Sequence, residues 1–105
     1  MNAKQLARIK KMEDDFNHVS EVVKSLDECL SDYETIQSRI KCLTEYQESG
    51  QWLEDFEADE RGELPDSLEL RRGVLSEDGL YNLLSSVSDV YSRMQAMLEK
   101  QHLLV

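Results

Sequence analysis

The chain has 105 residues, of which 40% are hydrophobic and 32% charged, too apolar for disorder and the right length for one domain over 1–105. Its formal net charge of −10 repels nucleic acid and anionic membrane surfaces, so a partner bound through a broad basic face is excluded. The charge is uneven: Lys4, Arg8, Lys10 and Lys11 make a basic start with no acid among residues 1–12, and most of the 22 acids fall between residues 13 and 78.

The first element expected is a helix over 3–48, a stretch with no Gly or Pro. Its apolar residues Leu6, Ile9, Met12, Phe16, Val19, Val23, Leu26, Leu30 and Tyr33 step by three or four, and from Ile9 the steps alternate strictly. That is the 3.5-residue repeat of a coiled-coil seam. The phase slips at Tyr33, Ile36, Ile40, Leu43 and Tyr46, where two steps of three fall in succession and turn the stripe toward a new neighbour. Ser31 to Glu34 reads as a capping box, but Ser25 to Glu28 matches the same pattern mid-helix, so a continuous helix is the expectation.

Residues 49–75 form a connector containing a short helix. Ser49-Gly50 ends the first helix; Gln51 to Glu60 places Trp52, Leu53 and Phe56 on one face; Gly62 and Pro65 then stop it. The last helix is expected over 76–100, with Ser76 as N-cap, Glu77 and Asp78 at the positive end of the dipole, and Leu75 stapled onto Leu80. Leu80, Leu84, Val87, Tyr91, Met94 and Leu98 form its heptad stripe, widened by Leu83, Val90 and Met97. The fold class is therefore all-α: a long N-terminal helix, a short connector helix and an antiparallel C-terminal helix, in the manner of a helical hairpin or coiled-coil-like bundle.

Lengths then matter. A 46-residue helix spans about 70 Å and a 25-residue one about 38 Å, so a hairpin leaves roughly twenty N-terminal residues without a partner in the chain. Those residues include Leu6, Ile9, Met12, Phe16 and Val19, an apolar seam that a second copy would cover. A homodimer is the expectation.

Candidate chemistry is sparse. Glu54, Asp55, Glu57, Asp59, Glu60, Glu63 and Asp66 invite comparison with a calcium loop, but the position needing Gly is Glu60 and the last ligand is Asp66 rather than a bidentate Glu. Arg71-Arg72-Gly73 before a helix start suits an anion, yet Glu77 and Asp78 already occupy that end. His18 and His102 have no companions at metal-ligand or triad spacing, and there is no phosphate-binding Gly loop. Neither a metal nor a cofactor is expected, and no enzyme is indicated. Cys29 and Cys42, on one helix, lie about 20 Å apart, beyond disulfide reach. Two lone cysteines, the lack of an apolar leader and the lack of an 18-residue apolar run lead to the expectation of a cytoplasmic chain with no membrane association.

The residues of the connector are expected to close as a clasp. Arg72 pairs with one or more of Asp55, Asp59 and Glu60, and Trp52 packs beneath Leu75 and Leu80, with Phe56 and Ser76 completing the candidate interaction site. Trp52-Leu-Glu-Asp-Phe-Glu-Ala-Asp-Glu60, Gly62, Leu64-Pro65 and Arg72-Gly-Val-Leu-Ser-Glu-Asp78, with Tyr81 and Leu84, resemble a family of short bacterial proteins known only as a domain of unknown function. The likeness covers most of the chain, departs from the pattern in a longer Asp66–Arg71 segment, and implies a small helical protein with no activity attached. The function read from these features is a non-enzymatic protein–protein interaction module acting on an unknown protein partner. The alternatives are a ligand- or metal-binding regulator using the acidic connector and Arg72, and an acidic antitoxin-like or nucleic-acid-mimic protein.

Overall fold

The computed structural model describes residues 2–102, and among them all regular structure is helical. Four helices follow in order: α1 (Ala3–Thr35), α2 (Gln37–Glu48), α3 (Gln51–Glu60) and α4 (Gly79–His102). The chain divides into two compact units, residues 1–38 and 39–105.

The first unit is α1. Asn2 caps it by accepting a hydrogen bond from the Gln5 amide at 2.6 Å, which satisfies one of the free N–H groups of the first turn. Its charges are placed against the helix dipole: the first turn has no acid and the last no base. No residue of α1 is buried.

The helix expected over 3–48 is interrupted at Ile36 rather than running continuously or breaking at Ser31. The Ile36 amide is shared between the carbonyls of Asp32 at 3.2 Å and Tyr33 at 3.3 Å. Both carbonyls are also claimed by side chains, Asp32 by the Thr35 hydroxyl at 2.7 Å and Tyr33 by the Gln37 amide at 3.1 Å. Side chains that bond back to the ladder loosen and bend a helix. The interruption falls where the apolar phase slips.

In the second unit, α2 turns its Ile40, Leu43, Thr44 and Gln47 face inward, and α4 packs back with Leu80, Leu84, Val87 and Met94. Gly50, at φ 87°, makes the left-handed turn between α2 and α3. At the other end of α3, Gly62 at φ 74° allows a Schellman closure: the Gly62 amide donates to Asp59 at 3.0 Å and the Glu63 amide to Ala58 at 3.1 Å.

The start of α4 lies at Gly79, three residues beyond the expected position. Residues 72–78 form tight turns instead, and the Ser76 hydroxyl donates to the Gly73 carbonyl at 2.8 Å rather than accepting from the helix. That turn passes so close to Gly79 that a Cβ there would lie 2.8 Å from the Gly73 carbonyl. Leu75 and Leu80, 7% and 3% exposed, flank this turn and are the buried apolar residues among those described.

Candidate interaction site

The connector closes on α3 through two anchors. The first is Trp52, whose indole N–H donates to the Val74 carbonyl at 2.7 Å while its ring stacks on Phe56 at 5.0 Å between centroids and 17° between planes. The helical spacing of four residues places the two rings one turn apart on one face of α3. Trp52 also borders a shallow cleft of about 300 Å³ with Gln47, Glu77, Asp78, Leu80 and Tyr81.

The second anchor is Arg72. Its Nε donates to the Asp59 carboxylate at 2.9 Å, one terminal nitrogen to the Leu70 carbonyl at 3.2 Å, and the other to the Pro65 carbonyl. One guanidinium thus holds the acidic helix and two points of the connector, which a Lys ammonium with its single charged atom would do less well. The pair is partly sheltered, with the two side chains 27% and 24% exposed.

Of the acids considered for Arg72, the structure brings only Asp59 to it. Asp55, one turn earlier on α3, accepts instead from the Tyr46 hydroxyl at 2.5 Å, a link from α2 to α3. Partial burial, and then that carboxylate, push the Tyr46 phenol up from 10.0 to about 12. Glu60 is exposed. Leu80 lines the cleft beside Trp52, and Ser76 is spent on the turn before α4. Tyr46 was legible only as a stripe position. The signal was its place three residues before Ser49-Gly50, where a helix reversal brings it back onto the next helix.

Glu63 is held by Arg61 through bonds of 2.9 Å and 3.2 Å, which also keep its carboxyl below the usual range. Among the described residues no group of three or more His, Cys, Asp or Glu is placed to hold a metal ion. No helix among them is long and apolar enough to cross a membrane.

The other candidate surface lies on α1. Leu6, Ile9, Met12, Phe16 and Val19 are exposed, as are Val22, Val23, Leu26 and Leu30; across this stripe exposure ranges from 41% to 67%. Cys29 and Cys42 are free and exposed.

The family model described as "Domain of unknown function (DUF4298)" matches residues 9–99. The chain belongs to that family. The match begins at Ile9, the first residue of the strictly alternating stripe, and ends at Glu99 near the end of α4, so the matched span of this chain contains α1 from Ile9 onward and Arg72. No curated protein and no solved structure matches the chain.

Proposed function

We propose that this DUF4298 chain is a non-enzymatic protein–protein interaction module that pairs with a second copy of itself through α1. One observation carries the reading: a helix of 33 residues with an apolar stripe in coiled-coil spacing and no buried residue. An exposed stripe that long favours association, because each covered side chain of this size is worth about 1.5–3 kcal/mol when fully buried. The second unit supports the same reading in one respect, since its most sheltered ion pair, Arg72 with Asp59, lies within the unit. Arg72 has three acceptors within the chain and Glu63 has Arg61, so two of the groups that the regulator alternative would use are held in internal contacts.

Sedimentation at micromolar concentration tests this. The full chain is expected at twice 12.2 kDa. Phe16→Asp, which sets a charge in the seam, should weaken association by roughly tenfold or more, and by more than Lys11→Asp outside the seam. A fully helical monomer would sink the proposal.

A further inference from the structure

Resting on that self-association, we propose that the two α1 helices pair antiparallel, about a two-fold axis passing near Glu21. Three observations within α1 point the same way.

The first is spacing. From Ile9 to Tyr33 the stripe steps three, four, three, four, three, four, three, which reads the same in both directions as any heptad seam does, so the order of side chains along it decides. Turned end for end about residue 21, it pairs Ile9 with Tyr33, Met12 with Leu30, Phe16 with Leu26 and Val19 with Val23. Each layer of the first three joins a different shape to its partner, and the two Val meet at the centre, where bulk is least. A parallel pair would instead set Phe16 on Phe16 and Tyr33 on Tyr33, with narrow Val layers between them, a poorer fit for uniform close packing.

The second is charge. Lys4, Arg8, Lys10 and Lys11 make one end of α1 basic, and Asp27, Glu28, Asp32 and Glu34 make the other acidic. In parallel, each end faces its own sign. Antiparallel, the basic end lies against Asp32 and Glu34 of the second copy, although Glu13 to Asp15 then face Asp27 and Glu28. The end-to-end attraction has no counterpart in the parallel arrangement.

The third is the dipole. Bases at the N-terminus and acids at the C-terminus are the wrong signs for a helix standing alone. Beside an antiparallel neighbour each misplaced block meets the opposite block, and the two dipoles oppose. The fault of the single helix becomes the fit of the pair.

The test is disulfide trapping in the full chain with Cys29→Ser and Cys42→Ser. Two single-thiol chains, Ile9→Cys and Tyr33→Cys, are mixed, allowed to exchange and mildly oxidised. A disulfide needs its Cα atoms within about 7 Å, and in the antiparallel pair two copies of position 9 stand roughly 36 Å apart along the axis, so the mixed product should exceed either self-linked product by about tenfold or more. If either chain loses its helical circular dichroism, Met12→Cys with Leu30→Cys replaces the pair. Self-linked Ile9→Cys dimers at comparable yield would overturn the antiparallel arrangement and leave the dimer standing. A monomer by sedimentation would overturn both.

Discussion

Three of the connector's side-chain hydrogen bonds converge on Arg72. It faces one carboxylate and two backbone carbonyls, and so ties α3 to two points of the connector. Arg72→Ala leaves Asp59 partly sheltered without its partner, and is expected to cost about 1–3 kcal/mol in urea unfolding followed by Trp52 fluorescence. Arg72→Lys should recover only part of this, since a compact ammonium lacks the planar fork that spreads the donors of a guanidinium over several atoms. A loss within about 0.5 kcal/mol, the usual effect of an ordinary surface change, would show that the clasp adds nothing to folding.

Between elements, the comparable link is Tyr46 to Asp55, which joins α2 to α3 across the Gly50 turn. The unfolded phenol gives up its proton near pH 10.0 and the folded one near 12, so between those values the folded chain holds a proton that the unfolded chain has lost. The stabilisation is complete below pH 10.0 and lost as pH rises through about 12. Tyr46→Phe should therefore flatten the fall in stability over that window; an identical slope in both proteins would refute the link. This level also marks how far the sequence could be read. The ends at Gly50 and Gly62 were visible because a left-handed turn asks for Gly whatever surrounds it. Ile36 was not, because the interruption comes from Thr35 and Gln37 bonding back to carbonyls, which such residues do in one helix and not in another. Nor could Asp55 and Asp59 be told apart. They share a face of α3, and only the direction in which the chain leaves each end decides which meets Tyr46 and which Arg72. The late start of α4 belongs to the same class, since Ser76 faces two possible partners and the Gly73–Gly79 approach selects the turn.

At the scale of the whole molecule, apolar surface among the described residues is plentiful and little of it is buried. Leu75 and Leu80 are buried, while α4 still exposes Leu83, Val90, Tyr91, Met97 and Leu98 alongside the stripe of α1. Net stability in a small domain is a narrow difference between large terms, so a chain with so small an interior depends on whatever covers its surface. With a second copy in that role, the melting temperature should climb with protein concentration, by a few degrees for each tenfold increase, in calorimetry of the full chain. A melting temperature flat over two decades would mean that each chain stands alone. The small interior has a further consequence, for lifetime. A solitary chain would spend more of its time open to chaperones and proteases, and a paired one less, so surplus copies made below the pairing concentration would be cleared first. Abundance would then set survival: the protein would persist only where enough of it is made at once.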